Sequence, residues 1–209
     1  MTERKTERRT EQRTEQRTER VTSGRRCDVV SRDPYVATVR EVLSEAECRA
    51  WIAEMEGLGF EAAPITTGAG FVMAPSVRNN TRVMVDDAAR AAVLWERVAP
   101  HAPEEVGRWR AVGLNERFRV YRYEPGQYFR WHADGAFRRS AREASLLTCM
   151  VYLNDAGLLG GETEFADFDP VRPETGKVLL FDHHLMHQGA PVFEGVKYVL
   201  RTDVMYRQR

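Results

Sequence analysis

The sequence predicts a mainly β domain with its helices in front of its strands, and three observations carry that reading. From Leu114 to Tyr206, short runs rich in Val, Tyr and Phe alternate with Gly, Pro and Asp. That makes about eight closely spaced strands, the texture of a sandwich or barrel. The helical patterns come earlier in the chain, an order that packs helices on the outside of one sheet. A length of 209 residues suits one domain with a sizeable core.

Residues 2–20 repeat Thr-Glu-x-basic with no apolar residue. A helix there would stack its glutamates at i,i+4 and bury nothing, so residues 1–26 are expected to be a disordered, low-complexity tail. The folded domain is expected over 27–209. Val36 to Val42 alternates as an opening strand would. Ser44 and Glu47 form a capping box, and Cys48, Trp51, Ile52 and Met55 make one apolar helical face ended by Gly57 and Gly59. Phe60 to Ala74 has little periodicity. In the following segment Asn79-Asn80 suits a turn, and Arg78 and Arg82 could line a site. Asp86 or Asp87 can cap a second helix with Ala91, Leu94, Trp95 and Val98 on its buried face, ahead of Pro100. His101 reads as a surface loop residue.

Charge is balanced overall, 31 basic against 31 acidic residues. Residues 1–26 hold nine Lys/Arg against five Glu, which leaves the domain mildly acidic at 22 against 26. Such a domain is not expected to bind nucleic acid. Three well-separated cysteines with no Cys-x-x-Cys pair argue against a disulfide framework and suit a reducing cytoplasm. No apolar run is long enough to span a membrane.

The chemistry centres on His132-Ala133-Asp134. On a strand, side chains two apart share a face, so an imidazole and a carboxylate can converge. One further imidazole would complete a 2-His-1-carboxylate set, which leaves open positions on Fe(II). His183, His184 and His187 are candidates. His187 is preferred because Lys197 follows ten residues later, across an expected hairpin on the adjacent strand. A buried lysine needs an anion, and a dicarboxylate bound to the metal would supply one.

These motifs resemble the Fe(II)- and 2-oxoglutarate-dependent dioxygenases, nearest the prolyl 4-hydroxylase-like branch. The residues that carry the resemblance are Tyr123-Glu124-Pro125-Gly126-Gln127, His132-x-Asp134, Leu147 to Asn154, Gly160-Gly161-Glu162-Thr163-x-Phe165, and His187 through Lys197. The resemblance covers roughly Val39 to Tyr206. It implies a double-stranded β-helix, or jelly roll, with supporting N-terminal helices. It implies His132, Asp134 and His187 as iron ligands and Lys197 as the residue on the distal carboxylate of 2-oxoglutarate, with Arg201 as its rival. Tyr123, Tyr152 and Thr148 would line the cosubstrate pocket. Fe(II), 2-oxoglutarate and ascorbate are the implied cofactors. The implied reaction is hydroxylation of a substrate C–H bond coupled to decarboxylation of 2-oxoglutarate to succinate.

The motifs serve the iron and the cosubstrate rather than the substrate. The implied substrate is a prolyl residue in a peptide or protein, with a free amino acid or other small molecule as the alternative. Trp131, Phe137, Arg138, Arg139, Arg78 and Arg82 are candidates for the pocket rim by position. From a different class, a non-catalytic jelly-roll module would bind a metal or ligand without turnover; the four filled positions argue against it.

Overall fold

A computed structural model describes residues 26–68 and 70–209. All but the last residue of the expected tail lies outside the described residues. The largest sheet has 11 strands among the described residues. Its central members are Val178–Asp182, Glu143–Tyr152, Lys197–Gln208, Arg117–Tyr123 and Thr81–Asp86, each hydrogen-bonded to the next in that order. Opposite it lies a three-stranded sheet in the order Phe129–His132, His187–Gly189, Thr163–Phe165, with a separate pair Leu159–Gly160 and Val192–Glu194 beyond. Neighbouring strands pair antiparallel throughout these sheets. This is the jelly roll that the sequence motifs imply.

The sheet divides its residues by alternation. On Glu143–Tyr152, Leu147, Cys149 and Val151 belong to the outer core together with Cys48, Met55, Ala91, Leu94 and Val98 of the two helices. Thr148 and Met150, from the other face, line the internal cavity. Each fully buried aliphatic residue in that outer layer is worth roughly 1.5–3 kcal/mol. The helices therefore brace the large sheet and leave its inner face for the site.

Both helices start where the sequence places them. Glu45–Leu58 is capped by Ser44 in a reciprocal capping box with Glu47, and Gly59 ends it at φ 84°. Ala88–Val98 is capped by Asp87, while Asp86 pairs with Arg117 at 2.8 Å instead. Pro100 sits in a short 3-10 turn, Ala99–His101.

Several strands were not legible. Cys27–Arg32 forms a hairpin with Tyr35–Val39 at the sheet edge. Thr81–Asp86 and Trp109–Leu114 join the large sheet ahead of the expected β region. The expected hairpin between His187 and Lys197 is corrected. His187 pairs within the small sheet, against His132 and Phe165. Lys197 opens a strand of the large sheet, opposite Tyr123. The chain crosses between layers through Val192–Glu194 and a turn at Gly195, φ 78°. The two residues thus meet across the barrel rather than along a hairpin.

Candidate active site

A cavity lies between the sheets. Its lining includes His132, Asp134, His187, Tyr123, Lys197 and Arg201. One ligand atom from each of His132, Asp134 and His187 falls within 4.8 Å of the others. His132 Nε2 is 3.7 Å from Asp134 Oδ1, and His187 Nε2 is 3.7 Å from Asp134 Oδ2. Asp134 is not on the strand, which ends at His132. Its backbone N–H donates to the His183 carbonyl at 2.8 Å, and that bond, not strand alternation, turns the carboxylate inward.

Both imidazoles have their tautomers set. His132 Nδ1 lies 2.7 Å from the Arg130 carbonyl, and His187 Nδ1 lies 2.9 Å from the Leu185 carbonyl. A carbonyl only accepts, so each Nδ1 carries the proton and each Nε2 presents its lone pair to the cluster, as metal-binding histidines require. Burial, reinforced by His187, pushes His132 down to about 4. Burial also lowers His187. Both rings are therefore neutral donors at neutral pH.

Asp134 is held on both oxygens. Thr148 Oγ1 donates to Oδ2 at 2.5 Å, and Arg201 Nη1 lies 2.7 Å from Oδ1. Burial alone would raise this carboxyl, but Arg201 and the two imidazoles outweigh it and hold it well below the usual carboxylate range.

Behind Thr148 runs a buried relay. His183 Nδ1 is 3.0 Å from Thr148 Oγ1, His183 Nε2 is 2.8 Å from Ser145 Oγ, and the Phe137 N–H donates to Ser145 Oγ at 2.8 Å. Burial depresses the His183 pKa, which leaves the ring neutral. Since Thr148 spends its proton on Asp134, it must accept from His183 Nδ1–H. His183 Nε2 then accepts from Ser145. A register shift between Ser145 and Leu147 makes this possible. The extra residue, Leu146, moves Ser145 onto the inner face with Thr148.

The other end of the cavity belongs to Lys197. Its side chain is 2 % exposed. Its Nζ donates to the Gly161 carbonyl and sits 5.1 Å from the Tyr123 ring centroid and 5.7 Å from that of Tyr152. No salt bridge reaches it among the described residues. Burial pushes it down to about 7, against a partly opposing pull from Glu162. Gly161, at φ 75°, is needed here. That φ strains any other side chain, and a Cβ would lie 3.0 Å from Lys197 Cδ, so glycine suits the turn that brings the carbonyl to the ammonium.

The remaining expected residues divide. Tyr123 lines the cavity. Tyr152 lies behind it, its hydroxyl donating to Thr163 Oγ1 at 2.7 Å. Thr148 contacts Asp134 rather than the lysine end. His184 is exposed. Arg139 pairs with Glu116 and Glu143, and Arg138 is exposed. Trp131 is 45 % exposed. Arg78 is buried between the rings of Tyr121 and Phe129, at 4.4 and 4.3 Å, and Phe129 stacks on His132 at 3.5 Å. Its segment clasps the His132 strand through Asn79 N–H to the Tyr128 carbonyl and Arg130 N–H to the Val77 carbonyl. Arg78 therefore braces the site rather than lining its rim. Sequence reasoning missed Tyr121, Phe129, Met150, Thr163 and Phe181 as lining residues. Alternation along their strands was the signal available for most of them.

The model of the 2OG-Fe(II) oxygenase superfamily matches residues 118–202, which span the triad and both cavity ends. Over that segment the chain is similar to the 2OG-Fe(II) oxygenase superfamily. It is a 2-oxoglutarate-dependent iron dioxygenase. No curated protein matches it. Among solved structures, the oxygenase is similar to the viral collagen prolyl hydroxylase vCPH from Paramecium Bursaria Chlorella virus-1 in its 2OG complex. That match has 20% identity and a TM-score of 0.54, and covers 90% of this chain and 99% of that one. It is also similar to a Pseudomonas putida prolyl-4-hydroxylase (18% identity, TM-score 0.57, 83% and 92% covered). A third is a Trichoplax adhaerens prolyl hydroxylase in complex with a hypoxia inducible factor peptide fragment (14% identity, TM-score 0.58, 81% and 82% covered). These likenesses show the shared fold.

The oxygenase's own residues fit its cofactors. Two neutral imidazoles and one carboxylate make a donor set suited to Fe(II) with open positions, and a buried lysine without an acid partner fits one end of a dicarboxylate.

Proposed function

We propose that this oxygenase hydroxylates a prolyl residue in a peptide or protein, with His132, Asp134 and His187 as the iron ligands and Lys197 as the anchor of 2-oxoglutarate. The observation that carries the site assignment is the placement of Lys197. It is a buried ammonium in the same cavity as the triad, and among the described residues it meets one carbonyl and two aromatic rings but no carboxylate. Stranding a charge in this way is costly unless a ligand supplies the counterion.

Fe(II) bound here would supply O₂ activation coupled to oxidative decarboxylation of 2-oxoglutarate. The protein's part is placement. Arg130 and Leu185 carbonyls hold the imidazole tautomers. Thr148 and Arg201 fix the Asp134 carboxylate. Lys197 sets the far end of the diacid, with the Tyr123 ring beside it. Phe129 stacked on His132, and Phe181 with its ring 4.6 Å from that of His187, keep water from the donors. No side chain is required as a general base, so the contribution is orientation in a dry pocket.

The peptide substrate is supported by the Trichoplax structure, which holds a peptide fragment on this fold, and by the shared architecture with two further prolyl hydroxylases. The test is succinate release from 2-oxoglutarate under Fe(II), with proline-containing peptides set against free amino acids. Stimulation and a 16-Da mass gain on a peptide proline are expected, as one oxygen atom is added. Stimulation by free amino acids alone would overturn the peptide assignment and leave the dioxygenase intact.

A further inference from the structure

Arg201 is the strongest feature left unexplained. It lies on the inner face of the Lys197–Gln208 strand, two alternations past Lys197, and both of its terminal nitrogens are committed to acids. Nη1 is 2.7 Å from Asp134 Oδ1, and Nη2 is 3.2 Å from Asp203 Oδ1. Asp203 is shared with Arg119 Nη1 at 3.3 Å. Arg201 Nε is buried with no partner. The guanidinium therefore grips one oxygen of the carboxylate that faces both imidazoles, while Thr148 takes the other.

We propose that Arg201 is a positioning residue for the metal-binding carboxylate: it neutralises Asp134 while the site is empty and holds that carboxylate to one-oxygen ligation when a divalent ion binds. The proposal rests on the reading of His132, Asp134 and His187 as the ligand set. Two consequences follow from charge alone. The metal-free protein avoids an uncompensated buried anion, so the fold does not depend on loading. The arrival of a dication beside a fixed guanidinium is penalised by like-charge repulsion, so affinity is deliberately moderate. The guanidinium on Asp134 is spoken for, which leaves the distal carboxylate of 2-oxoglutarate to Lys197.

The experiment is Mn(II) titration of the metal-free full chain, followed by electron paramagnetic resonance, which needs no turnover. Wild type should bind one Mn(II), and His132→Ala should not. If wild type binds none, the ligand assignment itself fails. Arg201→Gln is expected to bind Mn(II) about tenfold tighter or more, since a like charge beside the ion is gone. Arg201→Lys, which keeps the charge, should stay within about threefold of wild type on the same reasoning. Unchanged or weaker Mn(II) binding by Arg201→Gln overturns the proposal. So does a large loss of 2-oxoglutarate affinity in that variant with Mn(II) binding unmoved, which would hand Arg201 to the cosubstrate. Should the glutamine variant not fold, a crystal of wild type soaked in Mn(II) decides. Arg201 retained on the oxygen that does not face the ion supports the proposal, and a carboxylate released from Arg201 and gripping the ion with both oxygens refutes it.

Discussion

The two ends of the cavity carry opposite charge problems and solve them differently. At one end, Asp134 is an anion surrounded by donors: Arg201, Thr148 and two imidazoles. At the other, Lys197 is a cation met by one carbonyl and two aromatic faces. The acid is satisfied before any ligand arrives, and the lysine is not. A buried charge with its counterion built in is neutralised by the chain itself. A buried charge without one tells of a ligand that brings it.

Removing one partner at each end should therefore have opposite effects on stability, and the largest effect falls at the acid end. Asp134→Ala takes one of its two acids from Arg201 and leaves it only Asp203, which Arg119 shares, a loss of up to about 3–5 kcal/mol for breaking a buried pair, and abolishes Mn(II) binding. Chemical denaturation of the metal-free variant measures the first and resonance titration the second. If stability is unchanged, the pairing at the acid end is not what neutralises Arg201.

At the lysine end, Lys197→Met should leave the metal-free protein as stable or more stable at neutral pH, because an uncompensated charge is gone. It should weaken 2-oxoglutarate by roughly 30- to 1,000-fold, as expected when one member of a buried charge pair is removed. Mn(II) affinity should hardly move. Loss of both ligands together would mean that the two ends are not separable.

The pH dependence sharpens the same contrast. Burial lowers Lys197 to about 7, below its unfolded value. The folded metal-free protein thus binds fewer protons than the unfolded chain between about 7 and about 10.4, and its stability rises with pH across that window. A dianion beside the ammonium reverses the shift. Binding of 2-oxoglutarate above neutrality should take up a proton, and affinity should fall by up to about tenfold per pH unit as pH rises past 7. Calorimetry in two buffers of different ionisation enthalpy reads the uptake, and Lys197→Met should erase it.

How much of this was visible in the chain depends on the range of the interaction. Ser44 and Glu47, three residues apart, announced their helix, and the order of His132, Asp134, His187 and Lys197 announced the site. Alternation also placed Lys197 and Arg201 on one face. What sequence could not show was anything set by register between distant strands. Lys197 sits opposite Tyr123 in the large sheet, not beside His187, because the chain changes layer after Val192. The partner of Arg201 is 67 residues away in sequence, so its choice between 2-oxoglutarate and Asp134 was open until the sheets were assembled. Ser145 is the clearest case. Its neighbours Leu147 and Cys149 face the helices, and alternation would send it with them. The bulge at Leu146 reverses it, and no local residue pattern marks that bulge.

Ser145 also gives the smallest test of the comparison, because it acts on Asp134 through two intervening groups. Ser145→Ala leaves buried His183 Nε2 without its donor and the Phe137 N–H without its acceptor. Such losses cost about 1–3 kcal/mol of stability each at most, partly offset by relaxation. His183 Nδ1–H still donates to Thr148, and Thr148 still donates to Asp134, so the carboxylate keeps both of its contacts. Mn(II) affinity should consequently stay within about threefold of wild type, since neither first contact of the ligand is touched. A tenfold change would show that the acid end is a cooperative network rather than a set of pairs, and that the order of the Ser145–His183–Thr148 relay is itself a determinant of metal binding.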